Sequence, residues 1–172
     1  MLDTKARLTL ELALSTAGRR KDIVWLGPQH VEDGIVTFEQ SKTEGTDDAH
    51  VSIPLDPSFF EALAAMSSSK IVPLSVAPTF LTTDKGRAFA SPESFGNWFR
   101  KRCDEAGLPK GLSLHGLRKA TARRRAERGC SVHEIAAITG HASLSEIERY
   151  TKAADKKRLA MQAKKKLLAD RT

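Results

Sequence analysis

The sequence predicts a mainly α-helical domain with one small antiparallel β-sheet near its front, an α+β fold. Three observations point there. From Leu114 onward, helix start and stop signals follow one another closely. Only two short stretches, residues 34–40 and 50–54, are rich in β-branched and aromatic residues. The length of 172 residues, with 40% hydrophobic and 28% charged content, suits one domain with a core of its own.

The elements follow in order. Leu8, Leu10, Leu12, Ala13 and Leu14 sit in a helix-favouring run over residues 4–18 that closes near Gly18. A short helix over residues 21–26 is stopped by Gly27 and Pro28. Residues 34–40 (GIVTFEQ) and 50–54 (HVSIP) read as two strands, with the polar residues 43–49 as the turn of a hairpin. Asp56 and Pro57 match an N-cap and first position, opening a helix through about Met66. Residues 67–70 form a polar break, and 71–81, holding Pro73 and Pro78, read as extended or irregular. Ser91 and Pro92 open a helix over 93–106, with Phe95, Trp98 and Phe99 on its apolar face. Gly129 closes the helix that starts near Leu114. Ser131 and Glu134 form a capping box for the next helix, which Gly140 ends, and Ser143 and Glu146 form a second box. Residues 153–168 make a final Ala/Lys/Leu-rich helix within a tail over 152–172.

The charge is uneven. Residues 1–100 carry a net −3 and residues 101–172 a net +10, together the overall +7. That asymmetry suggests a polyanion met by the C-terminal half; a solvated basic surface explains it equally well. Two cysteines, Cys103 and Cys130, make no disulfide framework, and a reducing compartment is the default. No apolar segment follows a basic start, and no apolar run reaches the ~18 residues that span a bilayer. A cytosolic or nuclear protein is expected.

Four clusters carry chemistry. The first is Thr16, Ala17, Gly18, Arg19, Arg20, Lys21 and Asp22 at a helix end. The second is Ser41, Lys42 and Thr43 after a strand. The third is His115, Gly116, Leu117 and Arg118 at a helix start, and the fourth is Gly140 and His141, followed by Tyr150. Tyr150 is the only tyrosine, and it sits among Arg149, Lys152 and His141. Singly, each cluster has an ordinary explanation, such as an arginine serving a helix dipole. Together, three cations, two imidazoles and a phenol suit a phosphodiester. Guanidiniums clamp non-bridging oxygens and offset transition-state charge. A lysine or histidine supplies a proton to the leaving oxygen. A phenol attacks phosphorus where cations stabilise its phenolate.

This ordered set resembles the tyrosine recombinase (phage integrase) family, over nearly the whole chain, from about Leu8 to Arg158. Thr16, Gly18 and Arg19 match the family's first-arginine motif in spacing, which favours Arg19 over Arg20, and Asp22 matches its acidic residue three positions on. Lys42 looks like the family's β-hairpin lysine, His115 and Arg118 like its His-x-x-Arg box, His141 like its Leu-Gly-His histidine, and Tyr150 like its nucleophile. Two departures stand out. Ala17 follows Thr16 where the family has glycine, and Thr139 replaces the leucine before Gly140, a change read as neutral.

The resemblance implies the catalytic domain of a recombinase, with the family's N-terminal core-binding domain absent from this chain. It implies a reaction without metal or nucleotide cofactor, through a 3′-phosphotyrosine at Tyr150. Arg19 and Arg118 would hold the phosphate, Lys42 would protonate the leaving 5′-oxygen, His115 would assist proton transfer, and His141 would hydrogen-bond the phosphate. The implied partner is double-stranded DNA, with a homo-tetramer on DNA for the full-length protein and a monomer for the isolated domain. The implied location is cytoplasmic and nucleoid-associated, in a bacterial or phage-like setting. Arg20, Lys119 and Arg123 are candidate DNA contacts, with a solvated helix face as the alternative for Arg123 to Arg125.

Rival readings remain at this point. A type IB topoisomerase shares the chemistry. A non-catalytic helix-turn-helix module accounts for the basic half but leaves Arg19, Lys42, His115 and Tyr150 without a purpose. Cys130, His133 and His141 have partial metal-ligand spacing but lack a fourth ligand.

Overall fold

A computed structural model of the chain describes residues 4–41, 50–68, 78–141 and 143–169. In chain order the elements are α1 (Thr4–Thr16), α2 (Arg20–Ile23), a 3-10 turn (Pro28–His30), β1 (Val31–Glu32), β2 (Ile35–Glu39), β3 (His50–Pro54), α3 (Pro57–Ser68), α4 (Pro92–Glu105), α5 (Leu114–Glu127), α6 (Val132–Thr139) and α7 (Leu144–Ala169). The expected mainly helical architecture with a small sheet is what the chain adopts.

Helix α1 turns Leu8, Leu12 and Ala13 inward and packs against α3 and α5. The α2 helix is shorter than expected and closes at Ile23. Val24 and Leu26 beyond it stay buried, and the Leu26 carbonyl accepts the Phe80 amide at 2.8 Å.

The sheet has the order β1-β2-β3 and is antiparallel throughout. Val36 lies opposite Ile53 and Phe38 opposite Val51; all four face inward, while Ile35, Thr37 and Glu39 face out. The hairpin of the sequence reading is therefore extended by a third strand. Asp33 (φ 49°) and Gly34 (φ 77°) join β1 to β2 in the left-handed pair that a two-residue hairpin turn requires. The turn expected over residues 43–49 lies outside the described residues, as does 71–77 of the irregular stretch.

Helix α3 runs to Ser68, slightly into the expected polar break. Helix α4 opens as expected on Ser91, whose Oγ accepts the Ser94 amide at 3.1 Å, and it buries Phe95 and Phe99. Helix α6 carries its capping box: Ser131 Oγ accepts from the Glu134 amide and Glu134 Oε2 from the Ser131 amide. Gly140, at φ 59°, ends it in the left-handed conformation. Helix α7 starts at Leu144, directly after Ser143, where the second expected box sets a helix start. Ser143 Oγ shares a hydrogen bond with Ser145 Oγ at 2.7 Å, and Glu146 Oε2 faces His141. The Tyr150 segment and the Ala/Lys/Leu tail, read as separate stretches, are one helix of 26 residues, α7. No glycine or proline interrupts it, so it runs on for about 39 Å.

Two apolar clusters result. The larger joins α1, the sheet, α3 and α4, with Leu8, Ile53, Phe59 and Phe95 fully buried. The smaller holds Ala122, Ala126, Ile135 and Ile147 between α5, α6 and α7. No described helix is long and apolar enough to cross a membrane.

Candidate active site

The site starts from a bend after α1. Ala17 is buried at φ 48°, a left-handed conformation that costs an L-residue roughly 1 kcal/mol. This explains why glycine is the natural occupant of the position. The bend aims the Ala17 carbonyl at Arg118, whose Nη1 donates to it at 2.7 Å. Gly18 follows, with its amide bonded to Thr16 Oγ1 at 3.1 Å. A Cβ at Gly18 would overlap Ile23 Cγ2, a side chain locked in the core. Gly18→Ala is therefore expected to destabilise the chain by roughly 1–3 kcal/mol in urea unfolding, and to displace Arg19 next to it. Unchanged stability would show that the bend is not tight.

Arg19 is half-buried, and its Nη1 donates to Gln40 Oε1 at the end of β2. Asp22 Oδ1 accepts the Ser41 amide at 3.1 Å, tying the arginine turn to the residue before Lys42. Lys42 itself lies outside the described residues. Arg118, on α5, is 4% exposed, and its Nη2 lies 3.3 Å from His141 Nε2. That Nε2 also lies 3.4 Å from Glu146 Oε2, and His141 Nδ1 lies 2.6 Å from Thr139 Oγ1. Tyr150 is half-buried on α7, with its ring against the smaller apolar cluster.

Arg19, His115, Arg118, His141 and Tyr150 all line one open cleft of about 960 Å³. Burial, with Arg19 beside it, lowers the Arg118 guanidinium to about 10, so it stays a cation at neutral pH. Partial burial lowers His115 from its ordinary value, and Lys119, Arg118 and Arg19 push the same way. The cleft therefore offers fixed positive charge beside an imidazole that favours its neutral form.

The family model described as the phage integrase family matches residues 1–157. The chain belongs to the phage integrase family. No curated protein matches it. Among solved structures, XerA recombinase is similar with a TM-score of 0.72 at 17% identity, over 93% of this chain and 57% of that one. A lambda integrase dimer bound to a core site gives 0.65 at 24%, over 86% and 52%. The Tn1549 transposon integrase in complex with transposon right end DNA gives 0.69 at 15%, over 89% and 58%. The chain thus spans little more than half the length of these structures.

In this phage integrase chain the other sequence candidates separate. Arg20 and Lys119 line the cleft. Arg20 also pairs with Glu93 at 2.8 Å and lies across Gly96, where a Cβ would strike it. Arg123 does not line the cleft; it is exposed and pairs with Glu127 at 2.8 Å. Lys21 and Arg149, named in the sequence only as neighbours of Arg19 and Tyr150, line it as well, together with Glu146, read only as a cap, and with Arg100 and Ser145, which the sequence did not single out. Thr139, read as neutral, contacts the site histidine. Among the described residues no group of His, Cys, Asp or Glu is placed to hold a metal ion; Cys130 packs on the smaller apolar cluster.

The lowered His115 has a pH consequence. The unfolded imidazole takes a proton near 6.5 and the folded one only at lower pH. Stability contributed by this group is therefore present above pH 6.5 and lost as pH falls through the folded value. Between the two values the folded imidazole remains neutral and able to accept a proton. If His115 is the base proposed below, the acid limb of second-order DNA cleavage falls below pH 6.5 and is absent in His115→Asn. A limb above 6.5, or one unchanged in the variant, would assign it to another group.

Proposed function

We propose that this chain performs site-specific DNA strand cleavage and rejoining through a 3′-phosphotyrosine at Tyr150. What supports the reading is the convergence of Arg19, His115, Arg118, His141 and Tyr150 on one cleft from four separate parts of the fold. Tyr150 Oη attacks phosphorus, the bond from phosphorus to the 5′-oxygen breaks, and Lys42 gives that oxygen a proton. His115 takes the phenol proton. Arg19 and Arg118 hold the non-bridging oxygens, with His141 as a further donor. The released 5′-hydroxyl, or one from another strand, reverses the attack. One phosphoester replaces another at each step, so no nucleotide is consumed.

The substrate is double-stranded DNA, approached over the cationic rim of Arg20, Lys21, Arg100, Lys119 and Arg149. The full-length protein acts as a homo-tetramer on DNA in the cytoplasm, and the isolated chain is a monomer. The outer half of α7, with Leu159, Met161, Leu167 and Leu168 exposed, is suited to docking on a neighbouring protomer.

The test is incubation with a library of nicked duplexes of varied sequence, in which cleavage releases a short strand and cannot be reversed. Denaturing electrophoresis should show a covalent protein–DNA band, with the nucleotide mapped to Tyr150. Absence of a band at micromolar protein and low salt, or attachment at another residue, would overturn the reading.

A further inference from the structure

We propose that Gln40 and Thr139 form an internal brace that sets Arg19 and His141 as one unit, making both positioning residues for the cleft. The inference rests on the proposed cleavage reading and adds two groups outside its set.

Gln40 is fully buried at the end of β2. Its side-chain oxygen accepts from Arg19 Nη1, and its side-chain nitrogen donates to the Thr139 carbonyl at 3.2 Å. A buried amide is held to one rotamer when both ends are bonded. Gly140 leaves room for it, since a Cβ there would strike the Gln40 amide. Glycine is thus required at this position both for its φ of 59° and for the space.

Thr139 carries the brace onward. Its Oγ1 lies 2.7 Å from the Ile135 carbonyl and 2.6 Å from His141 Nδ1. A hydroxyl has one proton to give. With that proton on the carbonyl, Oγ1 accepts Nδ1–H from the imidazole. Nδ1 is then occupied, and Nε2, beside Arg118 and Glu146, is the nitrogen left for the phosphate, to which it donates once it is protonated as well. One residue therefore fixes the imidazole through its hydroxyl and, through its carbonyl and Gln40, the Arg19 guanidinium. Misplacing such groups by even about 1 Å costs rate more than binding.

The test uses Thr139→Val, which keeps the shape and removes the hydroxyl, and Thr139→Ser, which restores it. The first readout is ¹⁵N NMR of the His141 ring in the DNA-free protein. Nδ1 should be protonated in wild type and in Thr139→Ser, and that proton should shift or exchange between the nitrogens in Thr139→Val. The second is single-turnover cleavage at saturating nicked DNA. Thr139→Val should slow it about 10- to 100-fold with DNA affinity within about threefold, Thr139→Ser should recover it, and the loss should vanish in a His141→Ala background. Gln40→Leu, for the other end, should slow cleavage by a similar factor and add nothing to Arg19→Ala. An unchanged imidazole spectrum in Thr139→Val, or a loss that persists without His141, overturns the brace. If wild type gives no adduct while the spectra behave as stated, the cleavage reading fails and the brace stands.

Discussion

Replacing Tyr150 by phenylalanine is expected to abolish covalent capture of DNA and leave folding and DNA affinity intact. The ring sits half-buried against Ala122, Ala126, Ile135 and Ile147, and phenylalanine fills the same space. Stability should change by no more than about 0.5 kcal/mol, since no buried volume is lost. The cationic rim proposed to meet the phosphates is untouched, so affinity should stay within about twofold. The phenolic oxygen is what disappears. Tyr150 is the only tyrosine in the chain, so no second phenol can substitute. Cleavage of a nicked duplex should fall by roughly 10⁴-fold or more, the scale of losing a covalent nucleophile. Quantifying the protein–DNA band and, separately, filter-binding affinity checks both halves. A persistent band would move the nucleophile elsewhere. Equal loss of binding would make Tyr150 a structural residue and favour a module that holds DNA without cutting it.

The sequence made the helices legible wherever a cap marks them, as Ser91, Ser131 with Glu134, and Gly140 do. Strand β1 was missed because two residues are too few to show alternation. The Asp33–Gly34 pair between it and β2 was the available signal. The last two helical stretches were read apart although no glycine or proline lies between them, whereas the start of α7 at Leu144 was marked by Ser143 just before it. The site divides in the same way. Arg19, His115, Arg118, His141 and Tyr150 could be read because their residue types and order fit one reaction. Gln40 and Thr139 could not, since their contact joins residues 99 apart and exists only after folding. Which cations line the cleft was equally hidden. The inward face of α5 includes Arg118 and Thr121 beside Leu114, Ala122 and Ala126, so no apolar stripe marks it. Arg123 therefore read like Lys119, although packing turns it to solvent.

Arg118→Met separates stability from function most sharply. A guanidinium pushed down from its ordinary value to about 10 is a cation the folded chain holds at a disadvantage of roughly 3 kcal/mol. Its causes are burial first and Arg19 second, and Asp22 and Glu146 offset them only in part. Methionine matches the side chain's length and removes the buried charge. The losses on the other side are the contact with His141 and the hydrogen bond to the Ala17 carbonyl, the latter about 1–3 kcal/mol if that oxygen is left unpaired. The two effects nearly cancel, as in other replacements of buried ions by apolar residues. The variant should therefore melt at or slightly above the wild-type temperature. Its cleavage of nicked DNA should nonetheless fall by about 10³-fold, because one of the two guanidiniums proposed to hold the phosphate is gone. Scanning calorimetry and the covalent-band assay measure the two sides independently. A melting temperature well below wild type would assign Arg118 to the scaffold, and cleavage within tenfold of wild type would remove it from the phosphate site. The opposed pair, stability kept and chemistry lost, is what a cation buried to await a phosphate predicts.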